Sequence, residues 1–261
     1  DYPRVMTVIG VDDTDSRTRG MCTTYLATRV AAALRADGAS VPRTLLIRLN
    51  PAVEHKTRGN AALAIHTDAD PHHALSVAVA ELTPLAETDD PRTSPGVVVA
   101  PGDPGGVPTP VQSFSRRAVR DILDRETAVD VAEQAGYRHR GWSGCRGRIG
   151  ALAAVGAWAA NDNWTYERIA YRVFGRCGTP RTVDEASVFE AAEAGYPAVW
   201  DTVDRTAGEA VCVPNAPGPI LYGIRGDDPD AVDAVADRIR SETVERTATF
   251  LTNQGTDAHL R

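Results

Sequence analysis

Apolar positions between Val5 and Val11 form a short run that stops at Asp12-Asp13-Thr14-Asp15, which predicts a strand ending in an acidic turn. After Gly20, the stretch Thr23–Leu34 places Leu26, Val30, Ala33 and Leu34 at helical spacing. Thr44–Leu49 and Ala61–His66 read as strands joined by a loop from Asn50-Pro51 to Asn60. Asp70-Pro71 opens a second helix with Leu75, Val79 and Leu82 on one face, and Gly96–Ala100 is a valine-rich strand. The order strand, helix, strand, strand, helix, strand is that of the ferredoxin-like split βαβ unit.

The next segment, residues 101–110, holds seven Pro or Gly in ten positions and reads as a loop or surface linker. Ser115–Arg125 and Val129–Ala135 follow as helical stretches. The glycine-dense Gly141–Gly150 then runs into Ala151–Ala160, which is apolar on every side and so predicts a buried helix. Thr165–Val173 and Asp184–Ala194 are expected to be helical in part. Ile220–Ile224 reads as a strand, Pro229–Ser241 as a helix opened by Asp-Pro, and Arg246–Asn253 as a closing strand. This last stretch suggests a second, smaller α/β unit, with a boundary near Gly178-Thr179-Pro180. No internal repeat or low-complexity tract appears.

A chain of 261 residues, 43% hydrophobic and 24% charged, suits one large or two small globular domains. It contains no run of 18 apolar residues and opens on no signal sequence, so no membrane helix or secretion is expected and the cytoplasm is the expected compartment. Its first residue is Asp1, so the chain is expected to be trimmed or a fragment. Cys22, Cys145, Cys177 and Cys212 lie far apart without a C-x-x-C pair, which argues against a zinc ribbon and for reduced thiols. His72 and His73 follow Asp70-Pro71 and read as a helix start rather than a metal site.

The net charge of −7 argues against binding to nucleic acid through a bulk positive field, leaving a local basic groove open. Of the 28 basic residues only Lys56 is a lysine. Codon bias accounts for the arginines, and Lys56 is left as a candidate point charge for phosphate.

Three carboxylates, Asp12, Asp13 and Asp15, crowd the end of the first strand and need a cation. Mg²⁺ held by one or two carboxylates plus nucleotide phosphates is the simplest solution, against an Asp-rich turn that merely ends the strand. Arg19-Gly20-Met21-Cys22-Thr23-Thr24 leads into a helix N-terminus, either as a ligand approach or with Thr23 and Thr24 as caps. Lys56-Thr57-Arg58-Gly59-Asn60 suits phosphate capture, with a solvated basic turn as the alternative. Gly144-Cys145-Arg146-Gly147-Arg148-Ile149-Gly150 stands at a helix N-terminus as an anion cradle, or as a tight packing loop. It is neither a Walker A loop nor a dinucleotide fingerprint. Tyr222–Asp227 and Thr252–Asp257 each read singly as turn chemistry.

Taken in order, IGVDDTDSRTRGMCTTYLA, LIRLNPAVEHKTRGNAALAI, GWSGCRGRIGALAAVGAWA, YERIAYR, VDEASV, PGPILYGIRGDDP and FLTNQGTDAHL resemble the archaeal 2-agmatinylcytidine synthetase family (TiaS) across nearly the whole chain. Two departures stand out: SRTRG is longer than the family's usual turn, and Cys145 sits where glycine is expected. The resemblance implies an α+β protein with a kinase-like α/β domain over residues 1–178, containing the βαββαβ pattern, and a ferredoxin-like, agmatine-binding domain over 179–261. It implies ATP-dependent conversion of the wobble cytidine of an isoleucine tRNA to agmatidine, by phosphorylation of the cytosine C2 oxygen and displacement by agmatine. ATP ends as AMP, and the enzyme phosphorylates one of its own threonines, which falls at Thr23. Metal ligands fall among Asp12, Asp13 and Asp15, with Lys56 in the catalytic set.

On this reading Arg58, Gly59, Asn60, Gly144, Arg146, Gly147 and Gly150 bind ATP. Thr24, Asp201, Asp204, Asn253, Gln254 and Asp257 bind substrate, since agmatine is a dication that needs acceptors. The family continues into an OB-fold and a zinc ribbon that grip tRNA, so this piece alone is expected to bind tRNA weakly. The competing readings are a stand-alone phosphotransferase acting on agmatine, a related guanidine or amine, or a nucleoside, and a non-catalytic binding module.

Overall fold

The structure, a computed structural model, describes residues 6–54, 56 and 59–258. Four antiparallel strands open the chain: β1 (Thr7–Asp12), β2 (Arg43–Arg48), β3 (Ala61–Thr67) and β4 (Gly96–Pro101). Helices α1 (Thr23–Ala36) and α2 (Pro71–Leu82) interrupt them, and the sheet order β4-β1-β3-β2 is that of the split βαβ pattern read from the sequence. Asp70 caps α2, its carboxylate accepting from the backbone N–H of His72 and His73, so the histidine pair begins a helix.

Further on come α3 (Thr109–Ala118), α4 (Arg125–Gln134), the edge strand β5 (Arg138–Gly141), α5 (Arg148–Ala160) and β6 (Thr165–Arg172). Helix α6 (Glu185–Gly195), β7 (Val199–Trp200), β8 (Ile220–Gly226), α7 (Pro229–Ala236) and β9 (Val244–Thr252) complete the fold. Among the described residues nine strands join in one sheet ordered β5-β4-β1-β3-β2-β9-β6-β8-β7. Among the described residues the one parallel pairing, β2 with β9, runs through Leu45↔Leu251 and Leu46↔Thr252. It fuses the first four strands to the later set. A division at residue 178 passes between β6 and its partners β8 and β9.

Two expectations are corrected here. Thr165–Arg172 is a strand, not partly helical. Thr165, Glu167 and Ile169 face inward while Tyr166 and Arg168 lie on the other side. A carboxylate at an inward position breaks the apolar alternation that would have revealed it. Residues 101–110 are mostly exposed, as expected of a surface linker, but they carry structure of their own: Pro104 and Val107 are buried and Thr109 starts α3. The prolines there set helix starts rather than a free connector.

Three apolar layers hold the sheet. Helices α1 and α2 cover one face through Leu26, Val30, Leu34 and Leu82 against Ile9, Leu63 and Val99. Helices α3, α4 and α5 cover the other, packing on Val8, Leu45, Ile47 and Val98. Helices α6 and α7 pack on β8 through Val188, Val232, Leu221 and Ile224.

Helix α5 lies unusually close to the strands because glycines on the strands face its first turns. A Cβ on Gly10 would stand 1.9 Å from the Ala151 carbonyl oxygen, and one on Gly96 would stand 2.2 Å from the Arg148 nitrogen. Those distances leave no room for any side chain, so this seat fixes where the first turn of α5 meets the tip of β1.

Candidate active site

The acidic turn after β1 and the glycine-arginine bend before α5 meet. Arg146 Nη2 lies 2.7 Å from Asp13 Oδ2 and also donates to the Arg92 carbonyl. The Asp12 carboxylate presses on the first turn of α5, where a Cβ on Gly150 would fall 2.0 Å from Asp12 Oδ2. Asp13 holds a left-handed backbone (φ 59°), which side chains other than Asn and Asp adopt at a cost.

Burial, reinforced by the neighbouring charges of Asp13 and Asp15, pushes the Asp12 carboxyl well above its ordinary range. Burial likewise lifts Asp13 to about 6, with Arg146 opposing and Asp15 adding to the shift. Arg146 pairs with Asp13, and the crowded Asp12 and Asp13 carboxyls repel one another, a repulsion that a cation can relieve. The donors are hard oxygens, as Mg²⁺ requires. Among the described residues, however, no three His, Cys, Asp or Glu side chains are grouped to hold a metal by themselves. The cluster therefore fits a cation that brings further oxygen ligands with it.

A cavity of about 140 Å³ opens on this cluster. Asp12, Asp13, Asp15, Lys56, Gly59, Asn60, Arg146 and Gly150 line its polar end, and Leu49, Val53, Ile122, Leu123 and Ile149 line an apolar wall. Ile122 is 69% exposed, an apolar side chain left open beside a polar slot, which suits the flat face of a base. Lys56 Nζ donates to the Pro51 carbonyl and closes its own loop. Asn60 Nδ2 donates to the Asn50 carbonyl at 2.8 Å. Thr57 and Arg58 lie outside the described residues.

Two of the expected cradle glycines have other work. Gly147 packs against Gly96, Ser94 and the Asp12 carbonyl, and Gly144 stands clear of the cavity, its carbonyl accepting from Arg125. Of the three glycines only Gly150 lines the slot. The alternative of a tight packing loop thus holds for half of this motif. Cys145 has φ 57°, the conformation for which glycine is the ordinary choice.

A second cavity, of about 270 Å³, shares Asp15, Gly59 and Ala61 with the first and lies on the α1 side of the sheet. Cys22, Thr23 and Thr24 from the start of α1, Asp201 after β7, and Arg48, Glu167 and Arg225 from β2, β6 and β8 line it. Cys22, not a threonine, occupies the N-cap of α1. The Thr23 hydroxyl accepts from Thr14 Oγ1 at 3.0 Å and is 5% exposed. The SRTRG turn folds back on itself through a Ser16↔Gly20 bridge, and Ser16 Oγ donates to Asp90 Oδ2 at 2.5 Å.

Several expected substrate residues are not in this cavity. Asp204 caps its own turn, accepting from the N–H of Thr206 and Ala207. Asn253 is fully buried and clamps both the N–H and the carbonyl of Arg48, tying β9 to β2. The Gln254 carbonyl accepts from Thr165, and Asp257 faces Arg116, Arg120 and Asn163 in a separate cleft. Asn253 and the Gln254 carbonyl serve the join between the two strand sets, which their place in a polar string did not reveal.

Glu167, Arg48 and Arg225 were missed. Glu167 is 4% exposed, and its Oε2 receives Arg48 Nη2 at 2.6 Å and lies 3.3 Å from Arg225 Nε. Burial alone would raise this carboxyl, but the two guanidiniums outweigh it and hold Glu167 below its ordinary range. The available signal was a charge at an inward strand position.

Profiles of known domains agree with this arrangement. The TiaS TCKD domain matches residues 8–69 and 65–143, and the TiaS FLD domain matches residues 145–259. The chain belongs to the TiaS family. It is 65% identical over 257 residues to the tRNA 2-agmatinylcytidine synthetase TiaS of Haloquadratum walsbyi, covering 98% of this chain and 56% of that protein. The TiaS of Methanosarcina mazei is 44% identical, with coverage of 97% and 60%. A crystal structure of TiaS in complex with an isoleucine tRNA and ATP superposes with a TM-score of 0.90 at 37% identity, over 98% of this chain and 60% of that one. A TiaS complex with the tRNA, AMPCPP and agmatine superposes with a TM-score of 0.89 at 36% identity, over 97% and 61%. The chain thus spans about three-fifths of the TiaS proteins it matches. Among the described residues no helix is long and apolar enough to cross a membrane.

Proposed function

We propose that this chain is the ATP-using core of a 2-agmatinylcytidine synthetase that acts on an isoleucine tRNA. The observation that carries the reading is the meeting of Asp13 and Arg146, 2.7 Å apart, in a slot that shares a wall with a second cavity. A nucleotide lies with its base against Ile122, Leu49 and Val53 and its phosphates toward Arg146 and Lys56. The wobble cytosine and the amine of agmatine occupy the larger cavity.

Cytosine's C2 oxygen is a poor leaving group. In the proposed sequence a P–O bond of the nucleotide breaks as a P–O bond to that oxygen forms. The agmatine nitrogen then bonds to C2, the C2–O bond breaks, phosphate departs with its electrons, and the nitrogen gives up a proton. Positioning and charge neutralisation do most of the work in such transfers. Arg146 holds the phosphate end in place and Asp201 offers a carboxylate to the cationic amine. Thr23, on the cavity wall, is the proposed acceptor for transfer to the protein itself. A Mg²⁺ carried with the nucleotide would be held by carboxylates of Asp12, Asp13 and Asp15 and would spread the phosphate charge.

The reading is supported by the TiaS complexes containing ATP or AMPCPP and agmatine, to which the chain is similar over nearly its whole length. Incubating the chain with ATP, Mg²⁺ and agmatine, with and without an isoleucine tRNA transcript, tests it by mass spectrometry. Agmatine joined to the tRNA is the expected product. A phosphorylated small molecule formed without RNA would instead favour a stand-alone phosphotransferase.

A further inference from the structure

The larger cavity has a floor whose charge does not fit a pocket made only for a cationic amine. Arg48 on β2, Glu167 on β6 and Arg225 on β8 form one cluster crossing the sheet beneath it, with the carboxylate buried and the guanidiniums half-buried. Both guanidiniums lean on the same carboxylate oxygen, Glu167 Oε2. Two cations share one anion, the Glu167 side chain only 5% exposed and the Arg48 and Arg225 side chains 21% and 29% exposed. The Arg48 Nε is buried and finds no acceptor among the described residues. Asp15 and Asp201 stand on the walls of the same cavity, so it pairs a cationic floor with acidic sides.

Arg48 is also placed at the passage between the two cavities. Its Nη1 lies 3.5 Å from where a Cβ on Gly59 would stand, and Gly59 lines both spaces. Its backbone is gripped on both sides by the buried Asn253 amide, so the guanidinium is presented from a fixed strand end. Glu167 fixes its direction.

We infer that Arg48 and Arg225, held by Glu167, form a phosphate-binding site in the second cavity, distinct from the nucleotide slot and reached past Gly59. Its ligand class is a phosphate monoester or free phosphate. Planar guanidiniums bind such groups through paired hydrogen bonds. In the reaction proposed above this site receives the phosphoryl group on the cytosine oxygen and then the phosphate that leaves. That placement rests on the proposed function, whereas the binding site itself does not.

Inorganic phosphate is the probe, because it tests the site without turnover. The chain is saturated with ADP and Mg²⁺ so that the nucleotide slot is filled, and phosphate binding is followed by equilibrium dialysis with labelled phosphate. One phosphate per chain is expected to bind in the presence of ADP. Arg48→Gln and Arg225→Gln are each expected to weaken it at least tenfold, and Arg48→Lys, which keeps the charge but loses the paired donors, to weaken it by a smaller factor. Glu167→Gln, which keeps an acceptor for Arg48 but removes the counter-charge, is expected to tighten it. ADP affinity measured on every variant reports whether the fold survived. The inference is overturned if ADP displaces the phosphate, if wild-type chain binds none at millimolar concentration, or if Glu167→Gln and both arginine variants bind it as wild type does. Phosphate bound as expected, with no product from ATP, agmatine and tRNA, would sink the proposed reaction and leave this site standing.

Discussion

Asp13 and Glu167 are both carboxylates largely taken out of water beside arginine, yet they are pushed in opposite directions. Asp13 rises to about 6 because burial and Asp15 outweigh one guanidinium. Glu167 falls because two guanidiniums outweigh its burial. In the first region burial and the mutual repulsion of the carboxyls dominate, and in the second two guanidiniums meet one carboxylate oxygen. A buried imbalance is costly unless something completes it, so each region points to a ligand of opposite sign. On the proposed function the slot at Asp13 takes a cation accompanying phosphates, and on the further inference the floor at Glu167 takes an anion.

The largest effect expected is on the second region. Glu167→Leu leaves Arg48 and Arg225 facing each other without their carboxylate and should cost about 3–5 kcal/mol of stability, read from urea unfolding. A loss under about 1 kcal/mol would mean the arginines turn out to water and the cluster is not tight. Asp13→Asn should behave the other way. Asparagine tolerates the left-handed backbone and removes an unfavourable buried charge, so the melting temperature should hold or rise. ATP turnover should nevertheless fall by about 10²–10³, the usual scale for removing one preorganised electrostatic contact. Turnover close to wild type would break the assignment of this slot.

His66 offers a control outside both regions. It is fully buried against Trp158, its ring nitrogens have no partner among the described residues, and burial lowers it to about 4. Unfolded, it takes a proton near pH 6.5, so between about pH 6.5 and 4 the unfolded chain binds more protons than the folded one. Stability from this group is complete above about pH 6.5 and declines on acidification by up to about 3 kcal/mol. Asp13 works in the opposite sense, since its raised carboxyl makes the folded chain the better proton binder between about pH 4 and 6. Comparing unfolding free energies of wild type and His66→Gln across that range isolates the histidine. Parallel curves would show that His66 stays wet.

The smallest effect concerns the seat of α5. Gly150→Ala places a methyl group where the Asp12 carboxylate lies and should cost about 1–3 kcal/mol, with ATP affinity reduced as Asp12 is displaced. Unchanged ATP affinity would mean Asp12 contributes nothing to the slot.

Much of the first half was legible because its strands are short continuous apolar runs and its helices announce their starts. The acidic turn at Asp12–Asp15 and Arg146 were also legible, since both stand as local strings with an unusual charge or glycine content. Thr23, Thr24, Lys56, Gly59 and Asn60 do line one cavity or the other. Glu167 was hidden by its own charge, which disguised β6 as a weak helix. Asn253, Gln254 and Asp257 have the right chemistry for an amine but are spent on strand joining and a separate cleft.

Composition and pattern decided which residues could neutralise phosphate and where chain reversals fall, because these depend on side-chain type and on neighbours close in sequence. Which carboxylate meets which guanidinium was decided only when β2, β6 and β8 lined up around β9. Arg48 and Glu167 are 119 residues apart, and Asp13 and Arg146 are 133 apart. Coulomb forces act through space while sequence records only order along the chain, so the balance of charge in each buried site belongs to the fold.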